Sequence, residues 1–203
     1  MVYRKQLNKR SPLRIFERSL HGGLGKGNIG VVTSRKGVGK TAFLTDIALD
    51  DLMGERKVLH VTLQHSVDRV ADFYDEIFME LARSQKLEDR AETQLAVERH
   101  RHILSYRGLS EFSLGRLRES MEFLAEHADF KPESWILDGY PDFEKVDESE
   151  IAELRNLAKD FDLELWITAL RHREGQERDE RDVPTEVARF DEYLSVIVRL
   201  EPQ

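Results

Sequence analysis

SRKGVGKTAFLTDIALDDL, residues 34–52, sets two glycines and a Lys-Thr pair directly before an apolar run. Phe43, Leu44, Ile47, Ala48 and Leu52 recur at the spacing of one helix side, and Gly54 is a stop signal, so 41–53 reads as a helix. Just upstream, NIGVVT (28–33) reads as a strand. Strand, glycine loop, Lys-Thr and helix, in that order, are the context that a phosphate-binding loop requires. Gly37 and Gly39 admit backbone angles closed to other residues and let N–H groups approach an anion closely. The helix start at Gly39 to Ala42 aims unpaired N–H groups and a positive dipole end at the same point. The expected cradle runs from Ser34, Arg35, Lys36, Gly37 and Val38 to Gly39, Lys40, Thr41 and Ala42. Lys40 is placed to reach terminal phosphates, and the Thr41 hydroxyl to hold Mg²⁺. Ser34 stands where the usual pattern begins with glycine, at the strand exit rather than against the phosphates.

Outward from this loop, β-rich runs alternate with helical periods. KVLHVTL (57–63), HILSY (102–106), SWILDGY (134–140), LELWITAL (163–170) and YLSVIVRL (193–200) read as strands. Ser66 caps a long helix with Val70, Phe73, Ile77, Phe78 and Leu81 at helical spacing. The charged stretch 84–99 continues it or forms a helix-turn-helix. Ser113 caps a helix carrying Leu117, Met121 and Leu124, and Ile151, Leu154 and Leu157 mark another. Such alternation implies an α/β fold with a mostly parallel central sheet and helices on both faces. Trp135 and Trp166 fall on strands and read as core. RHREGQERDERDVPTE (171–186) has almost no apolar residues and reads as a mobile loop. Asp138 ends the apolar strand WIL, where a second Mg²⁺-organising carboxylate of a phosphate-loop protein would stand.

The run TSRKGVGKTAFLTDIA (33–48) resembles the phosphate loop of the RecA-like motor domain of bacterial replicative helicases. HVTLQHS (60–66) resembles that family's next strand and its end, ILDGY (136–140) its strand with the metal aspartate, and ITALRHR (167–173) its later sensor strand. RSLHGGLGKGNIGVV (18–32) is similar to clock-type ATPases of the KaiC kind, a related RecA-like branch. The resemblance implies a RecA-like P-loop NTPase domain over 19–203, ATP and Mg²⁺ as cofactors, and assembly into rings or filaments.

Two departures qualify what the resemblance implies. Its branches place a catalytic glutamate after the second strand, and the matching position here is Gln64, followed by His65. An amide orients water but takes no proton. Loss of a general base costs typically ~10²–10⁴ in rate. Other ATPase branches put glutamate directly after the metal aspartate, and here that residue is Gly139. The family's phosphate-sensing glutamine is matched by Ala169, with Thr168 beside it as the remaining hydroxyl. The resulting expectation is an ATP-binding module with slow or no hydrolysis, its nucleotide state read by a protein partner or a neighbouring subunit. An active ATPase motor acting on DNA is the alternative, followed by a MinD-like ATPase or a nucleotide kinase.

The bulk numbers agree with a globular domain. The chain has 203 residues, 40% hydrophobic and 34% charged, and no cysteine, so disulfide and thiolate chemistry are excluded. The net charge of −8 argues against a general polyanion binder. Residues 1–18 form a basic arm, with Arg4, Lys5, Lys9, Arg10, Arg14 and Arg18 against Glu17 alone. Such an arm suits nucleic acid, an acidic partner or a neighbouring subunit. Nucleic acid is not favoured for the body: GYPDFEKVDESE (139–150) is acidic, and 171–186 holds Arg171, Arg173, Arg178 and Arg181 among at least as many acids. No apolar run reaches bilayer length and the N-terminus lacks a signal-peptide core, so the expected location is cytoplasmic. His100 and His102 are too few for a metal centre by themselves.

Overall fold

A computed structural model describes residues 23–35, 37–84, 86–106, 112–171 and 177–201. The basic arm at 1–18, Lys36 and Arg173 lie outside the described residues. Six strands form one sheet: β1 (Ile29–Arg35), β2 (Val58–Thr62), β3 (Arg101–Ser105), β4 (Ser134–Asp138), β5 (Glu164–Arg171) and β6 (Val196–Arg199). Their order is β3-β2-β4-β5-β1-β6 and every pairing is parallel. The helices between them are α1 (Lys40–Met53), α2 (Val67–Ser84), α3 (Arg90–His100), α4 (Leu114–His127), α5 (Glu148–Asp160) and the single turn α6 (Thr185–Ala188).

The strand order explains why both faces are covered. From β1 to β2 to β3 the chain moves toward one edge, and right-handed crossovers put α1, α2 and α3 on one face. From β3 through β4 and β5 to β6 it moves back, so α4, α5 and α6 fall on the other. Two separate apolar clusters result. Leu44, Leu52, Tyr74, Phe78 and Ile136 belong to the first face, and Leu117, Met121, Leu154, Leu157 and Phe190 to the second. The direction reverses beyond the carboxyl ends of β1, β5 and β4, which opens the crevice where ligands bind in such sheets.

Three stretches show what local sequence settles and what tertiary packing adds. On α2 the buried stripe is Val70, Tyr74, Phe78 and Ala82, a strict four-residue step, whereas Phe73, Ile77 and Leu81 are only half-buried. Helical spacing alone selects either row, and the facing surface of α1 decides between them. In 84–99, a turn at 86–89 splits the helix, as the helix-turn-helix alternative had it. The stretch read as a loop carries no helix or regular strand over 177–184, and its own side chains tie it together. The Asp179 carboxylate accepts from the Arg181 and Val183 amides, Arg178 bridges to Pro184, and Val187 in α6 is buried. Its charges are spent on one another, so low hydrophobicity did not leave it structureless.

Both tryptophans are core residues, Trp135 fully buried and Trp166 2% exposed. Trp166 on β5 lies opposite Gly30 on β1 in the parallel register. A Cβ at Gly30 would stand 2.4 Å from the Trp166 ring. Neither the strand nor the indole has room to retreat, so Gly30→Ala is expected to cost about 1–3 kcal/mol of stability, read from denaturant unfolding.

His60 on β2 is completely buried, with Nδ1 3.1 Å from the Tyr74 hydroxyl. Desolvation, helped by Arg101 and His65, pushes its pKa down to about 3 from 6.5. The unfolded chain therefore takes up a proton as pH falls through 6.5, and the folded chain does so only near 3. Stability is fully present above 6.5 and is lost below it, at up to about 1.4 kcal/mol per pH unit. The stability gap between wild type and His60→Gln should narrow at that rate from pH 6 to 4, measured by urea unfolding at each pH.

Candidate functional site

The carboxyl ends of β1, β4 and β5 and the start of α1 enclose a cleft of about 460 Å³. β1 delivers Ser34 and Arg35 to its edge, and the chain turns there through two glycines in the left-handed region, Gly37 at φ +84° and Gly39 at φ +99°. A Cβ at either would meet nothing within 4 Å, so these glycines are required by backbone conformation, and their outer side faces open space. Gly39 caps α1 with its backbone, its carbonyl accepting from the Phe43 amide at 2.9 Å. No side chain caps this helix end, so the first-turn amides of α1 are left to other acceptors.

Lys40 folds back over the loop. Its Nζ donates to Ser34 Oγ at 3.1 Å, to the Ser34 carbonyl at 3.3 Å and to the Arg35 carbonyl at 3.4 Å. Partial burial lowers its pKa, and the charge of Asp138 opposes that shift. Ser34, in the place of the usual first glycine, is fully buried and gives the lysine an oxygen that glycine lacks. Val38 and Ala42 complete the turn, and Ala42 lines the cleft.

Across the cleft, Asp138 ends β4 and is 2% exposed. Each of its oxygens has a hydroxyl partner. Thr41 Oγ1 donates to Oδ2 at 2.8 Å, across a sequence separation of 97 residues, and Thr168 Oγ1 donates to Oδ1 at 3.3 Å. Thr168 in turn accepts from the Gly139 amide at 2.9 Å. β5 lies between β1 and β4 in the sheet, and this insertion brings Thr168 to the carboxylate. Ala169, the next residue on β5, is 2% exposed and packs in the apolar cluster of the second face instead.

Gln64 leaves β2 beside Asp138. Its amide and that of His65 both donate to Thr62 Oγ1, at 3.2 and 3.1 Å, and Ser105 holds the His65 carbonyl at 2.6 Å. The Gln64 side chain lies over Gly139, which sits at φ +93°, and a Cβ there would be 2.8 Å from Gln64 Cγ. Position 139 therefore admits no side chain while Gln64 is in place.

Thus Lys40, Thr41, Gln64, Asp138 and Thr168 converge on one cleft. Lys36 lies outside the described residues, and Arg171 ends β5 opposite Arg35. The sequence reading missed the cleft's far wall, formed by Phe73, Pro141 and Phe143. Phe73 carried a signal, being an aromatic one step off the α2 stripe, but 141–143 carried none. His65 stands edge-on to Phe73, with ring centroids 5.5 Å apart. His100 and His102 are elsewhere: His100 Nδ1 lies against the Ala96 carbonyl and His102 against the Phe130 ring. No described helix is long and apolar enough to cross a membrane. Comparison with protein-family models gives no match, and comparison with curated proteins gives none either.

Proposed function

We propose that this chain binds ATP with Mg²⁺ through a RecA-like P-loop and serves as a nucleotide-dependent binding or assembly module, with slow or no hydrolysis. The observation that carries the reading is the Thr41–Asp138 hydrogen bond, which ties the glycine loop to an acid at a distant strand end. A loop that only looked like an anion cradle would have no reason to meet a buried carboxylate there.

The residues present fit a magnesium triphosphate. Two positive-φ glycines open the loop on its outer side, one ammonium stands beside them, and two hard oxygen donors face each other. The amides of Gly37 to Thr41 and Lys40 hold the phosphates, and Thr41 and Asp138 hold the cation. When bound, Mg²⁺ offsets charge on the terminal phosphates and polarises them. Gln64 orients a water without accepting its proton, and Gly139 supplies no acid in its stead, which accounts for slow turnover. Gln64, His65, Gly139 and Asp142 line the cleft and are at least partly exposed, so a partner or a second copy can read whether a nucleotide is there. The acidic run at 139–150 favours a protein partner over nucleic acid.

Calorimetry of the full chain with ATP or GTP, each with and without Mg²⁺, tests this directly. Micromolar binding that Mg²⁺ tightens is expected, together with a nucleotide-dependent change in elution on size exclusion. No heat with either triphosphate would overturn the reading.

A further inference from the structure

We infer that Thr168 is a positioning residue for Asp138: it fixes which carboxylate oxygen is offered to a cation, and it ties that choice to the Gly139–Gln64 contact. This rests on the nucleotide reading above and assigns Thr168 a role other than sensing the terminal phosphate.

The argument is one of proton supply. A threonine hydroxyl has a single proton to donate and lone pairs to accept with. Here the proton goes to Asp138 Oδ1, and a lone pair takes the Gly139 amide. Thr168 is 4% exposed and Asp138 2%, so water does not compete for these bonds. Among the described residues the other oxygen, Oδ2, is held by Thr41 alone, whose hydroxyl lies in the first turn of α1 at the cleft's edge. The two partners are therefore unequal. Thr168 is embedded in β5, opposite Val32 of β1 and one residue past the last β4 pair, Leu137 with Ile167. Thr41 is the second residue of α1, only half-buried at the cleft's edge, and its hydroxyl can turn away from Oδ2 when a cation takes it. Thr168 thus keeps the carboxylate from rotating once Thr41 leaves.

The same hydroxyl links the acid to the water-facing side chain. By accepting from the Gly139 amide it fixes the positive-φ turn on which Gln64 rests. Residues that orient metal ligands in this way typically cost about 10- to 100-fold in metal affinity when removed. Valine keeps the shape of threonine but neither donates nor accepts, and it leaves the Gly139 amide without its partner.

The test measures ATP affinity of the full chain in Mg²⁺ and in EDTA, on wild type, Thr168→Val and Thr168→Ser. The ratio of the two dissociation constants is the readout. In Thr168→Val the Mg²⁺ advantage is expected to shrink about tenfold or more, with the EDTA affinity within about twofold of wild type. Thr168→Ser, which keeps the hydroxyl, restores the ratio. Melting temperatures identify a variant that fails to fold, and Thr168→Ala then makes the same comparison. An unchanged ratio in the hydroxyl-free variants overturns this inference and leaves nucleotide binding standing. So does a parallel loss of affinity in both buffers, because that is the mark of a general packing defect. A wild type that ignores ATP in both buffers overturns the nucleotide reading itself.

Discussion

Lys40→Ala is expected to weaken MgATP binding about 100-fold or more in calorimetry, with little change in melting temperature. The size of the effect follows from what the ammonium does. Each hydrogen bond to a charged group is worth roughly 1.5–3 kcal/mol, and among the described residues lining the cleft Lys40 is the one lysine or arginine. Without ligand it spends its protons on Ser34 and the Arg35 carbonyl, contacts at 3.1–3.4 Å that lie at the long end of the range. Alanine therefore removes little from the folded state and much from the complex. A variant that binds as tightly as wild type would show that the triphosphate is held elsewhere.

Gln64→Glu is expected to raise ATP turnover by about 10² or more, measured as phosphate release under saturating MgATP with Lys40→Ala as background. Glutamate is the same length as glutamine, so it fits over Gly139 where glutamine fits, and the backbone anchors at Thr62 Oγ1 are untouched. The one change is an oxygen that accepts a proton in place of an NH₂ that cannot. Equal rates in the two proteins would mean that the slow step lies outside proton removal. Brisk turnover by the wild type would remove the reason to call Gln64 a defect at all.

How much of this was legible in the sequence follows the distance over which each feature is specified. The glycine loop, Lys40 and Thr41 are set by about five neighbouring residues, and the strand and helix on either side have strong local signals. Asp138 was also legible, because an apolar run that stops at an acid marks a strand's carboxyl end. The order of strands was not. That β5 inserts between β1 and β4, and so brings Thr168 to Asp138, depends on crossovers that no local window contains. The far wall was hidden for the same reason. Phe73 reads as one of several apolar residues on α2, and only the packing of α1 against Val70, Tyr74 and Phe78 frees it to face the cleft. The pairing within and around 177–186, such as Arg181 with Asp179 and Asp191, was not legible because hydrophobicity does not register charge pairs.

The contact between Gln64 and Gly139 also constrains how this sequence can change. A side chain at 139 meets both a backbone angle that favours glycine and the Cγ of residue 64, which would have to change rotamer to clear it. The two positions constrain each other: an acid installed at 139 carries the strain of a positive φ and displaces Gln64, whereas glutamate at 64 requires neither change. A single substitution at 64 is the shorter path to a base in this cleft.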